Sequence, residues 1–154
     1  MNIIEEIKNK YGDKVRIVEK SQRRVFVNVA QADAKELVGW LFRDLKARFS
    51  IITGLDARLG VELIYHLAFD ELGVLVSVRT QVAKPELLMP TLTDVIEGAN
   101  WIEREIHEML GVNFTGHPNL ARFLLPDDWP EGEYPYRKKT YASEQENPQR
   151  EEND

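Results

Sequence analysis

Apolar positions along this chain change their period several times, and each change marks an element. Ile3, Ile4, Ile7 and Tyr11 fall near helical spacing and Gly12 interrupts them, which predicts a short amphipathic helix. Two β-type runs follow at 15–19 and 24–29. In the second, Val25, Val27 and Val29 alternate with Phe26 and Asn28, and the polar link KSQR suits a hairpin. Asp33 is the expected N-cap of a helix over 33–48, with Leu37, Leu41, Leu45 and Phe49 as its stripe. Three more strands are expected at 50–54, 60–69 and 73–82. Val61, Leu63, Tyr65, Leu67 and Phe69 share one face of the middle strand, and Val74, Val76 and Val78 one face of the last.

Residues 83–93 carry Pro85 and Pro90 and read as an extended linker. A final helix is expected over 94–110, capped by Asp94 with Glu97 closing the box, and ended by Gly111. Its buried stripe is Val95, Ala99, Ile102, Ile106 and Met109. The order is helix, two strands, helix, three strands, helix. Runs of strands joined by short turns imply an α+β two-layer sandwich over 1–112. An extended arm at 113–141 and a polar, disordered tail at 142–154 complete the expected organisation.

Composition narrows the function. With 154 residues the chain is one domain, or one domain plus a tail, and 43% hydrophobic content is enough for a core. A net charge of −6 argues against general nucleic-acid binding, which needs a basic face. The absence of cysteine removes thiolate-held zinc and iron–sulfur clusters from this chain. No apolar run approaches the roughly 20 residues of a membrane span. The acidic start lacks the pattern of a signal peptide, so a cytosolic protein that meets membranes only through partners is expected.

Candidate chemistry concentrates in residues 101–141. Glu103, Arg104, Glu105, His107 and Glu108 lie off the apolar stripe of the last helix. Glu103 with His107, and Arg104 with Glu108, are spaced to pair across one turn of a solvated face. His107-Glu108 begins like a zinc-protease motif, but Gly111 stands where the second histidine belongs. No nucleophile elbow and no phosphate-cradling glycine loop occurs. His117-Pro118 is a turn by composition, its histidine expected to bond nearby backbone. The arm then holds Pro126, Pro130 and Pro135 among Trp129, Tyr134, Tyr136 and Tyr141, with a basic knot at Arg137-Lys138-Lys139. Aromatic residues and arginine favour an interface, so the arm is expected to bind a partner.

The same residues carry a resemblance. Glu103-Arg104-Glu105, Glu108 to Val112, Phe114, Gly116 to Leu120, Arg122, Leu125 to Trp129, Gly132, Pro135 and Arg137-Lys138 resemble the signature of the 30 kDa subunit family of respiratory complex I. That family includes counterpart subunits of membrane-bound energy-converting nickel–iron hydrogenases. Gly54 to Asp56, Tyr65 to Leu67 and Ala99 to Trp101 extend the likeness upstream. The sequence departs from the pattern at Glu108, Leu110, Ala121, Tyr136 and Lys139, the last with reversed charge.

The resemblance implies a two-layer α+β domain in the hydrophilic arm of an ion-translocating oxidoreductase, on the cytoplasmic side of the membrane. It implies docking on the large redox subunit beside iron–sulfur subunits. Those partners would hold the iron–sulfur clusters and the quinone site or nickel–iron centre, and this chain no cofactor. The expected partner-binding residues are Glu103, Arg104, Glu105, His117, Pro118, Arg122, Trp129, Tyr134, Tyr136, Arg137 and Lys138. One alternative is a stand-alone metal-dependent enzyme using Glu103, His107 and His117; another is an adaptor unrelated to redox chemistry.

Overall fold

The computed structural model describes residues 1–139; the expected tail at 142–154, and Tyr141, lie outside the described residues. The elements are α1 (Ile3–Tyr11), β1 (Val15–Ser21), β2 (Arg24–Val29), α2 (Gln31–Arg43), β3 (Arg48–Asp56), β4 (Gly60–Phe69), β5 (Val74–Ala83), β6 (Leu88–Pro90), α3 (Asn100–Leu110) and β7 (Asn113–Thr115). Five strands form one sheet in the order β1-β2-β5-β4-β3. Every pair in it is antiparallel except β2 with β5, which is parallel with Val27 opposite Val78.

Alternation puts Val25, Val27, Leu63, Tyr65, Leu67, Val76 and Val78 on one face, and each is at most 2% exposed. They join Ile7 of α1, Leu37, Val38 and Leu41 of α2, and Ile106 and Leu110 of α3 in a single core. The α+β class and the two-layer arrangement expected from the pattern are the ones observed. The other sheet face is crossed by polar ties. Arg79 donates to Asn28 at 2.7 Å, and His66 bridges Ser77 at 2.9 Å and Thr53 at 3.1 Å.

Several boundaries differ from those predicted. Helix α2 begins at Gln31 and has no side-chain cap, while Asp33 sits in its first turn and meets Lys14 at 3.5 Å. It ends at Arg43 because Lys46 turns to a φ of 58° and β3 starts at Arg48. Leu45 and Phe49 therefore lie beyond the helix. Helix α3 starts at Asn100, after a separate 3-10 turn at Glu97–Ala99. Asp94 is not its cap; its carboxylate takes Lys35 at 2.8 Å instead. The linker hides β6, which pairs in parallel with β7, Met89 opposite Phe114. Three-residue strands are too short to show a period.

Gly54 sets how closely α3 approaches the sheet. A Cβ there would lie 2.6 Å from Leu110 Cδ1 and 3.4 Å from Ile106 Cγ2. Gly54→Ala should therefore lower stability by about 1–3 kcal/mol through overpacking. Urea unfolding checks this; an unchanged midpoint would mean that the helix recedes without cost.

Candidate functional site

The site is α3 together with the segment that crosses it. Glu103 lies on the inward side of the helix and is fully buried, at 0% exposure. Its carboxylate accepts from the Thr91 hydroxyl at 2.5 Å and from the Leu92 N–H at 2.7 Å. Burial drives its pKa above the ordinary carboxylate range, against these two bonds and the positive charge of Lys35. The side chain placed by spacing on a charged outer face is thus an internal bolt between α3 and the loop before it, not a group offered to a partner.

His117 Nε2 lies 4.0 Å from that carboxylate, and neither side chain has exposed surface. The same nitrogen is 3.1 Å from the Asn100 carbonyl, while Nδ1 receives the Asn119 N–H at 3.0 Å. A carbonyl only accepts and an amide only donates. The imidazole is thereby held as its Nε2–H tautomer.

The expected pairs one turn apart do not form, because each member meets backbone instead. His107 Nδ1 donates to the Val112 carbonyl at 2.8 Å. Arg104 donates to the carbonyls of Ala121 at 3.2 Å and Arg122 at 3.1 Å. Its guanidinium also lies 4.8 Å from the centre of the Phe123 ring, which meets Trp101 edge-on at 5.0 Å. Glu108 accepts from three successive amides, Phe123 at 3.1 Å, Leu124 at 2.7 Å and Leu125 at 3.0 Å. Burial alone would raise the Glu108 pKa. The three amides and the Arg122 charge outweigh that and hold it below its usual value.

The arm therefore lies on its own helix, where an external surface was expected. Residues 121–125 have no strand to pair with, so a cation and an anion on α3 take their carbonyls and amides. Farther along, Arg122 donates to Pro126 at 2.9 Å and to Trp129 at 3.1 Å, and the Trp129 indole donates to Glu133 at 2.9 Å. The Tyr136 N–H then reaches the Met109 carbonyl at 3.0 Å, and Arg137 Nε the Leu110 carbonyl at 2.7 Å. These are last-turn carbonyls that an α-helix leaves without partners. Gly111, at a φ of 81°, ends the helix, and a side chain there would run into Arg137 and Tyr134. The Lys138 N–H closes the strap on Asp56 at 2.7 Å. Asp56 also holds Lys84 at 2.7 Å, with the two side chains 1% and 10% exposed.

Of the remaining predicted residues, Glu105 is half-buried on α3 and Pro118 is exposed, and neither shares in these contacts. Glu103, His107 and His117 form no metal-ligand set. Among the described residues no group of three or more His, Asp or Glu side chains could hold a metal ion. The residues missed were Asp56 and Asn119, together with the role of Glu108. Glu108 has a helical spacing that pointed to Arg104. Asn119 follows a His-Pro turn, and its side chain caps the Ala121 N–H at 3.0 Å. Among the side chains left outward here are three large apolar ones: Trp101 at 63%, Leu124 at 53% and Tyr136 at 60% exposed.

A mixed five-stranded sheet backing a strapped C-terminal helix is an architecture shared with chains of known structure. A chain of the membrane-bound sulfane sulfur reductase, an archaeal respiratory membrane complex, superposes over 99% of this one with a TM-score of 0.76 at 23% identity. The trypsin-resistant fragment of Nqo5 superposes over 76% of this chain and 96% of its own length, at TM-score 0.63 and 25% identity. The sequence profile of the family described as respiratory-chain NADH dehydrogenase, 30 Kd subunit, matches residues 27–146. The chain belongs to this family.

The C subunit of NADH-quinone oxidoreductase from Chloroherpeton thalassium is 34% identical over 142 residues, which are 86% of this chain and 57% of that protein. The C/D subunit of the Acinetobacter baylyi enzyme is 31% identical over 152 residues, 91% of this chain but 25% of that longer protein. The chain thus spans a little over half of the first relative and a quarter of the second. No helix among the described residues is long and apolar enough to cross a membrane.

The two carboxylates on α3 should respond to pH with opposite signs. Glu103 has a raised folded pKa, so wild-type stability falls as pH rises from about 4.3 through that value. In Glu103→Gln the amide oxygen can accept from the Leu92 N–H while the amide N–H donates to the Thr91 hydroxyl, without the charge, and the variant should gain on the wild type across that window. Glu108 has a lowered folded pKa, so its contribution is complete above about 4.3 and lost as pH falls through the folded value. Glu108→Gln should cost about 1–2 kcal/mol at neutral pH and nothing in strong acid. Denaturant titrations at several pH values test both; parallel curves for wild type and variants would refute the assignment.

Proposed function

We propose that this chain is a non-catalytic assembly subunit in the hydrophilic arm of a complex-I-type, ion-translocating membrane-bound oxidoreductase, docked on the large redox subunit. The observation that carries this is covalent. In the Acinetobacter baylyi relative, the region that matches 91% of this chain is one quarter of a C/D polypeptide. Fusion of two parts makes sense where they work side by side, because a tether raises their effective concentration to the millimolar range.

The outward apolar side chains Trp101, Leu124 and Tyr136 support the docking reading, since aromatic anchors dominate stable interfaces. On this reading the iron–sulfur clusters, and the quinone site or nickel–iron centre, belong to the partners. On the same reading the complex holds the chain on the cytoplasmic face of the membrane. The oxidoreductase is NADH-linked, as the C and C/D relatives are by name, or of the energy-converting hydrogenase type.

The role of the strap changes how docking is tested. Cutting the chain after Leu125 would also uncap α3 at Met109 and Leu110, so surface variants are the cleaner instrument. Co-expressed with a tagged large subunit, the wild-type chain should co-purify with it. Trp101→Glu should keep the fold, as judged by circular dichroism, and weaken association by about 2 kcal/mol or more. A wild-type chain that never associates with the large subunit would refute docking.

A further inference from the structure

Between α3 and the strap is a cavity of about 340 Å³. Among the residues that line it are the aliphatic Leu120 and Leu125, the aromatic Trp129 and the acidic Glu131 and Glu133, beside His107. His107 Nδ1 faces the Val112 carbonyl at 2.8 Å and must carry the proton there. In the neutral imidazole Nε2 is then a lone-pair acceptor, and it takes no partner among the described residues.

The other charges at the cavity are already committed. Glu108 is held by three amides, and Arg122 spends its guanidinium on two carbonyls. The ring of Tyr134 carries Arg137 at 4.2 Å. Three glutamates against one arginine leave the lining net acidic, which disfavours an anion. A purely apolar guest would cover Glu131 and Glu133, exposed residues whose carboxylates make no bonds among the described residues. A long side chain with an aliphatic stem and a cationic head meets both demands, its stem against the leucines and its head near the indole, the carboxylates and His107 Nε2.

We propose that this cavity receives a lysine or arginine side chain from the docked partner protein. The inference rests on the docking reading for its partner, but its chemistry can be tested on the isolated full-length chain. The probes are Nα-acetyl-arginine amide and Nα-acetyl-lysine amide, followed through the Trp129 indole and Leu120 amide resonances by NMR. At least one should shift these signals saturably, while the uncharged Nα-acetyl-norleucine amide should not. The E131Q/E133Q variant alters only exposed side chains, and should keep the native spectrum yet bind the cation about fivefold more weakly.

No saturable shift with either cation overturns the proposal, as does equal binding of the norleucine probe or undiminished affinity in the variant. Failure of the docking reading looks different. The chain would then stay apart from the large subunit whatever the probes do in the cavity.

Discussion

A stretch of backbone with no ladder partner still has to place its amides and carbonyls. In residues 121–125 that demand is met chiefly by two side chains one turn apart on α3, with Asn119 capping the Ala121 N–H. Arg104 can only donate and takes the carbonyls; ionised Glu108 can only accept and takes the amides. The rest of the strap depends on this division. Once residues 121–125 are seated, Tyr136 and Arg137 come within reach of the helix's last carbonyls, and Lys138 of Asp56. The acid-rich helix is thus a template for irregular chain, with its charges spent inside the molecule. Outward it leaves Trp101, Leu124 and Tyr136 among exposed acidic and basic residues of the strap.

Much of this was legible in the sequence, and what was not has physical causes. Alternating valines and leucines located β2, β4 and β5, because period-two patterning is forced wherever one sheet face is buried. The α+β class follows from their order. Caps were read poorly: Asp33 and Asp94 have the chemistry of N-caps, but lysines within reach claimed them for ion pairs. Strands β6 and β7 carry too few residues to declare themselves.

Glu103 was misplaced for a deeper reason. Helical spacing reports which residues share a face, and a carboxylate is counted as an outer residue unless its partners are known. Here those partners, the Thr91 hydroxyl and the Leu92 amide, come from a loop whose path no periodicity encodes. The resemblance over residues 101–138 pointed to this segment. It could not tell that the segment is seated on its own helix, since a strap and a partner-binding arm call for the same prolines, aromatics and arginines.

The parallel pairing of β2 with β5 has a consequence for how the molecule is made. Val27 has to find Val78, and β3 and β4 intervene between the two strands. During synthesis β2 leaves the ribosome with only β1 beside it, so its inner edge stays unsatisfied until β5 emerges. The meander of β3, β4 and β5 is joined by short turns and can close locally. Docking of the β1–β2 hairpin on β5 then closes the longer loop and carries the larger loop-closure entropy. For that interval the hairpin presents a bare, valine-rich edge. The polypeptide's order of elements makes the N-terminal hairpin wait for a strand that ends at Ala83, 54 residues after its own end at Val29.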